Sequence, residues 1–330
     1  MQKPYLLFLG DVPDQLAAKT ATGIADWRED WCVGQHRLPG CQADTGLSDI
    51  SIPDAAAKGA KTLVVGVVNS GGVMPENWTA SIVEAIELGM DVASGLHSKL
   101  EDFPAIAAAA KTNNVTLHNV RHGRQQFGTG RGEPRSGKRL LTVGTDCSVG
   151  KKYSALALER DMRKQGMNAD FCATGQTGVF IAERGVAIDA VIADFISGAV
   201  EWLAPANEAA HWDVIEGQGS LFHAAFAGVS LGLLHGAQPD ALVLCHEPTR
   251  THMRGLPHAA LPDIQDCLDT YVQLAKLTNP DCRFVGMSLN TSNLPPAAVS
   301  DYLKELEDRY GLPTVDPIAG DTAAIVDNLN

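Results

Sequence analysis

The segment Leu140-Leu-Thr-Val-Gly-Thr-Asp-Cys-Ser-Val-Gly-Lys-Lys-Tyr-Ser154 constrains this chain more than any other. An apolar run ending at Val143 reads as a buried strand, and Tyr153 to Gln165 reads as a helix. The residues between them must form a tight loop closing on Gly150-Lys151. N–H groups at a helix start point outward without acceptors, and the helix dipole adds partial positive charge, so phosphate oxygens bind there. The usual phosphate loop places Ser or Thr directly after its lysine, where the hydroxyl ligates Mg²⁺. Here that position is Lys152. Two adjacent lysines oppose the helix dipole unless an anion is present. The expectation is a loop that holds a phosphorylated ligand, with no metal required, through Gly144, Thr145, Asp146, Cys147, Ser148, Val149, Gly150, Lys151, Lys152 and Tyr153.

A length of 330 residues allows two domains with sizeable cores. The net charge of −13 argues against nucleic-acid or anionic-membrane partners, so positive charge must be concentrated locally to bind an anion. Seven cysteines, at 32, 41, 147, 172, 245, 267 and 282, form no C-x-x-C pair and no zinc spacing. Their odd count and scatter suit a reducing compartment. Cys147 reads as a small residue packed in the tight turn rather than as a thiolate. Met1-Gln-Lys-Pro4 runs straight into a strand without a secretory signal, and no apolar stretch is long enough to span a bilayer. The expected location is cytoplasmic, with homo-oligomerisation left open.

Residues 1–120 alternate between strands and helices. Strands are expected at Tyr5–Leu9, Thr62–Val68, Met90–Ala93 and Val115–Val120, and helices at Asn77–Leu88 and Ala105–Lys111. The β-branched run at Thr62 is typical of a strand buried on both faces. Residues 121–138 are rich in glycine and cations (Arg121, Arg124, Arg131, Arg135, Lys138) and read as a linker, from which one or two arginines could reach a ligand. Residues 139–330 alternate again, with strands at Ala169–Cys172, Val214–Glu216, Ala241–Cys245 and Phe284–Leu289, a turn at Gly175–Gly178, and helices at Ile264–Leu277 and Ala297–Arg309. The pattern implies α/β architecture with parallel sheets, whose ligands gather at the C-terminal strand ends.

Several polar groups follow expected strand ends in the second half: Gln176, Asp194, Glu216, His246 with Arg250, and Asn290. Glu216 stands where P-loop proteins often place an acid that holds Mg²⁺ or its water, the competing reading being a cap on a neighbouring helix. Lys152 is expected to pair with Glu216 or Asp194 in some of the space a metal would fill. His223 and His246 are candidate bases, though a lone histidine is more often structural. Arg250 and Arg254 are candidate carboxylate clamps.

Gly144-Thr-Asp-Cys-Ser-Val-Gly-Lys151 with Val214-Ile-Glu-Gly-Gln-Gly219 resembles the GTDxxVGK and VEGxGG signatures of dethiobiotin synthetase-like P-loop proteins. Asn69-Ser-Gly-Gly72, Gly95-Leu-His97, Asp194-Phe-Ile-Ser-Gly198 with Glu201, and Gly286-Met-Ser-Leu-Asn-Thr291 extend a second resemblance over nearly the whole chain, to the D-glutamate N-acetyltransferases of the DgcN type. That resemblance implies a Rossmann-like N-terminal domain and a P-loop NTPase-like C-terminal domain. It also implies acetyl transfer from acetyl-CoA to the amine of an acidic amino acid, in D-amino-acid catabolism. Glu216 is then the first choice of general base, with Asp194 and His246 behind it. Gln176 and the Gly217–Ser220 segment, including Gln218 and Ser220, are candidate oxyanion or substrate contacts. Arg250, Arg254 or Arg121 would supply cations for the acidic substrate, and Asn290 completes the set. Two alternatives remain at this stage: an ATP/Mg²⁺-dependent synthetase or kinase on the same loop, and a non-catalytic nucleotide-responsive regulator.

Overall fold

The structure is a computed structural model, and it describes residues 1–68, 74–123 and 125–329. The Asn69-Ser-Gly-Gly72 motif and Arg124 lie outside the described residues. The chain forms two compact units, Met1–Gln125 with Gln176–Ala187, and Gln126–Gly175 with Ile188–Asn330.

The first unit contains β1 (Tyr5–Gly10), α1 (Lys19–Arg28), β2 (Cys32–Arg37), α2 (Ile52–Ala57), β3 (Thr62–Val65), α3 (Thr79–Glu87), β4 (Asp91–Ser94), α4 (Pro104–Asn113) and β5 (Leu117–Asn119). The strands form one parallel sheet in the order β2-β1-β3-β4-β5. Every residue of β1 and β3 is buried, as continuous apolar runs covered by helices on both faces should be. Sheets of this order open a ligand crevice between β1 and β3, where the winding reverses. Here Trp78 takes up space beside the end of β1: its indole Nε1 donates to Asp11 at 2.7 Å, and a Cβ on Gly10 would lie 2.3 Å from its ring.

The second unit contains β6 (Lys138–Gly144), α5 (Lys151–Lys164) and β7 (Ala169–Cys172). The chain then enters the first unit as α6 (Gln176–Ala182) and returns at Ile188 to form α7 (Ile196–Leu203), β8 (Trp212–Ile215), α8 (Ala227–Ala237) and β9 (Ala241–His246). A hairpin of β10 (His252–Met253) and β11 (Leu256–Ala260) follows, then α9 (Ile264–Ala275), β12 (Arg283–Leu289), α10 (Pro296–Tyr310), β13 (Thr314–Val315) and α11 (Ala323–Asp327). The six-stranded sheet is parallel in the order β13-β12-β9-β6-β8-β7. The chain winds from β6 out to β7, back to β8, and across β6 to β9, so the reversal falls at β6. The carboxyl end of β6 therefore opens the crevice of this unit.

Two expectations change. Gly175–Gly178 is not a turn, because α6 starts at Gln176 and buries Val179, Phe180 and Ile181 in the first unit, with Thr177 Oγ1 2.9 Å from Thr20 Oγ1. Most of residues 121–138 is not a free linker either. Lys138 opens β6, and Glu201 of α7 accepts from the N–H groups of Arg131 and Gly132. Arg135 donates to Ala204 O and Gly236 O, both at 2.6 Å, and to Glu201 O and Ala237 O. These are the carbonyls that the ends of α7 and α8 leave without helical partners. Burial pushes the Arg135 guanidinium down to about 10. This arginine is structural, its donors spent on helix-end carbonyls. Arg135→Ala leaves those carbonyls without their charged donor, and the second unit should lose about 2–4 kcal/mol in urea unfolding; a loss below about 0.5 kcal/mol, the range of ordinary surface substitutions, would refute the capping role.

Candidate active site

The loop from Gly144 to Lys151 is shaped by its own backbone and braced from several elements. Ser148 and Gly150 have φ of 53° and 105°. This left-handed backbone turns the chain sharply into α5. Lys151 is buried, and its Nζ donates to Asp146 O at 2.7 Å, folding the ammonium back across the loop. Glycine makes room for it, since a Cβ on Gly144 would lie 3.0 Å from Lys151 Nζ and one on Gly217 would lie 2.9 Å from Lys151 Cδ. Burial pushes the Lys151 ammonium below its usual range, so an anion that pairs with it also relieves its desolvation. Among the described residues, the N–H groups of Ser148, Val149, Gly150 and Lys151 have no protein acceptor. Four such donors at the start of a 14-residue helix form an anion cradle.

Glu216 follows β8 directly, and β8 pairs with β6, so the acid stands beside the loop. Its Oε2 accepts from the N–H groups of Thr174 and Gly175, both at 3.0 Å. Thr174 Oγ1 donates to Glu216 O and accepts from Gln218 Nε2 at 3.2 Å. A Cβ on Gly175 would lie 3.1 Å from Glu216 Oε1 and 2.6 Å from Gln218 Nε2, so glycine keeps that side open. Burial raises the Glu216 carboxyl to about 7, against the opposing pull of Lys152, the two N–H donors and Lys151. A carboxyl held near neutrality exchanges protons readily at physiological pH. Lys152, whose Nζ lies 4.7 Å from the Tyr153 ring centroid, acts electrostatically on Glu216, one of its two expected partners.

Other site residues fare differently. His246 is buried at the end of β9, with Nδ1 3.0 Å from Thr145 Oγ1, and burial pushes its imidazole down. Asn290 lies beside the loop, where a Cβ on Gly150 would be 3.8 Å from its own Cβ, and its Oδ1 accepts from Ser292 N. Asp194 is not at a strand end: it is exposed in a 3-10 turn before α7. Gln176 belongs to the first unit, its amide oriented to donate to Gly95 O at 2.6 Å and accept from Arg121 at 3.2 Å. Ser220 is fully buried and its hydroxyl donates to Thr145 O and accepts from Phe222 N, so it ties two loops together instead of facing substrate. Arg250 is committed to the loop, donating to Asp146 Oδ2 and Cys147 O, both at 2.6 Å, and to Ser148 O. His223 donates from Nε2 to Arg254 O and accepts at Nδ1 from Ala225 N, which leaves neither nitrogen to move a substrate proton. Burial raises the Cys147 thiol, consistent with packing in the turn.

One residue escaped the sequence reading. Tyr271 of α9 is buried; its hydroxyl donates to Gly144 O at 3.0 Å and accepts from Leu221 N at 3.1 Å. It looks in sequence like any apolar-face residue of α9, and its signal is only that a buried tyrosine needs a partner for its hydroxyl.

Comparison with known proteins places this geometry in a family. Residues 126–326 match the P-loop domain of a domain of unknown function, DUF1611, and residues 36–123 match the Rossmann-like N-terminal domain that accompanies it. The chain is 53% identical over its full length to a D-glutamate N-acetyltransferase of Tritonibacter scottomollicae, and equally to one of a Pseudoalteromonas species, covering 99% of each. A crystal structure of a DUF1611 family protein from Anabaena variabilis superposes with a TM-score of 0.90 at 28% identity, covering 99% of both chains. The chain belongs to this family and is an N-acetyltransferase.

The raised carboxyl makes a stability prediction whose sign is fixed. Unfolded, Glu216 ionises near its ordinary value of 4.5, whereas in the fold it keeps its proton up to about 7. The folded state binds more protons in that window, so stability falls as pH rises through it. Between pH 5 and pH 7.5 the wild type should lose stability relative to Glu216→Gln in denaturant unfolding. Parallel pH profiles would show that Glu216 is not held up.

Proposed function

We propose that this enzyme moves the acetyl group of acetyl-CoA to the amine of an acidic amino acid, D-glutamate above others, in cytoplasmic D-amino-acid catabolism. The observation that carries the reading is the pairing of an anion cradle bearing two lysines with a buried carboxyl raised to about 7 next to it. The full-length relatives named for acetyl transfer to D-glutamate support the choice of acceptor.

In this reading the N–H groups of Ser148 to Lys151, with the Lys151 and Lys152 ammonium groups, receive phosphate oxygens of the coenzyme. Glu216, ionised above its raised pKa, takes a proton from the acceptor's ammonium. The freed amine attacks the thioester carbonyl carbon, a C–N bond forms, and the C–S bond breaks as the electron pair leaves with sulfur. The attacking nitrogen releases its second surplus proton to solvent as the amide forms, and Glu216 returns the first to the departing thiolate. The carboxylate is thereby regenerated, and the products are N-acetyl amino acid, free thiol and one proton. In this reading main-chain N–H groups of Gln218 to Ser220 stabilise the oxyanion between the two steps, Gly217 N being engaged with Thr142 Oγ1.

The test is thiol release from acetyl-CoA, measured across D- and L-amino acids. D-glutamate should give the highest kcat/KM, and no release with either glutamate enantiomer would refute the proposal. Glu216→Gln should lower kcat by about 10²–10⁴-fold, the usual contribution of a general base. It should also remove the rising limb of the pH–rate profile, expected in the wild type near the raised Glu216 pKa of about 7. Full turnover in that variant would remove Glu216 as the base.

A further inference from the structure

Asp146, Cys147 and His223 bring potential ligand atoms within 4.8 Å of one another, the spacing of a metal site. The ligand atoms of Asp146 and His223 are already engaged. Asp146 Oδ1 accepts from Cys147 N at 2.6 Å, and Oδ2 accepts from Arg250 Nη1 at 2.6 Å and from Arg254 N at 2.7 Å. His223 Nε2 donates to Arg254 O at 3.0 Å, and its Nδ1 accepts from Ala225 N at 3.2 Å. Both main-chain polar groups of Arg254 are thus held, one by a fully buried carboxylate and the other by a buried imidazole. What looks like a metal trio is a clamp on one residue.

That residue sits at the tip of the β10–β11 hairpin, in the two-residue turn Arg254-Gly255, where Gly255 has φ of +76°. A hairpin tip is ordinarily a mobile place; here it is fastened to the phosphate loop and to the segment after β8. The guanidinium itself is half-buried, and among the described residues no carboxylate pairs with it. It is near enough to the Cys147 thiol to work against the burial that raises that thiol. Arg250, four residues earlier, is spent on loop carbonyls. A guanidinium carried on a pinned main chain, with no carboxylate partner among the described residues, is suited to a planar two-oxygen partner.

We infer that Arg254 is the specificity-determining cation that binds a carboxylate of the acidic acceptor, with His223 and Asp146 as the positioning residues that fix its backbone. The inference rests on the acetyl-transfer reading and deepens it. Substrate discrimination would then follow from a pinned main chain: the backbone that carries the guanidinium is held at the loop before substrate arrives, so less ordering remains to be done on binding.

The test uses the full-length protein with acetyl-CoA and D-glutamate, and with D-glutamine as the acceptor lacking the side-chain charge. Arg254→Ala should raise KM for D-glutamate by about 10- to 100-fold, the range for losing a charge-assisted pair, with KM for acetyl-CoA unchanged. A narrowed preference for D-glutamate over D-glutamine would assign the side-chain carboxylate; equal losses on both would assign the α-carboxylate. His223→Leu should shift KM for D-glutamate in the same direction, and His223→Gln, which retains a donor for Arg254 O, should restore most of it. A rise in KM for acetyl-CoA alone would make Arg254 a coenzyme contact and overturn the inference. So would stoichiometric zinc in the purified enzyme whose removal by a chelator abolishes activity. Absence of wild-type activity on D-glutamate would instead strike the underlying acetyl-transfer reading.

Discussion

A strand-to-helix turn is stable only if its outward-facing amides and inward-facing carbonyls are both accounted for. In the loop after β6 the carbonyls are satisfied by side chains from three other places in the unit and by the loop's own lysine. Tyr271 holds Gly144 O, Ser220 holds Thr145 O, Lys151 reaches back to Asp146 O, and Arg250 takes Cys147 O and Ser148 O. With the carbonyls tied inward, the N–H groups from Ser148 to Lys151 face outward together. The cradle is therefore preorganised by contacts made on its far side, and α9, the segment after β8 and the segment after β9 each contribute to its shape.

The same bracing sets the chemistry of Glu216. Parallel pairing of β6 with β8 puts the residue after Ile215 beside the loop, and Gly217 lets the backbones approach so closely that a Cβ would fall 1.7 Å from Thr142 O. Gly217 N donates to Thr142 Oγ1 at 2.9 Å. Close approach brings Glu216 under the influence of both lysines while excluding water from it. Burial alone would raise its pKa further, and the cations with the Thr174 and Gly175 amides return it to about 7. One set of cations thus tunes the acid and, in the proposed function, would also receive phosphate. Asp146 links this centre to the hairpin by accepting from both Arg250 and Arg254.

Much of this was legible in the sequence, for identifiable reasons. The strands at Tyr5, Thr62 and Ala241 are short, mostly apolar runs, and burial on both faces writes itself directly into such runs. The phosphate loop has fixed spacing, so Gly150, Lys151 and the substituted Lys152 could be placed before any coordinates. Less legible was β2, Cys-Val-Gly-Gln-His-Arg, an edge strand whose polar, half-buried residues carry no clear alternation. The two glycines of Gly175–Gly178 suggested a turn, whereas tertiary packing of Phe180 and its neighbours in the first unit sustains a helix. Side-chain roles were hardest. Arg135, Ser220, Arg250 and Tyr271 are polar residues whose partners are distant carbonyls, and no local pattern announces such pairing.

The central claim is that fixed cations, and not a bound divalent ion, neutralise the phosphate charge of the substrate at the start of α5. Its most direct measurement is calorimetric titration of the full-length protein with coenzyme A, first in magnesium and then in excess chelator, beside the same pair of titrations on Lys152→Ala. The account predicts equal affinity for the wild type in both buffers and a clear loss in the variant. Binding that disappears with the chelator and is indifferent to Lys152 would contradict it.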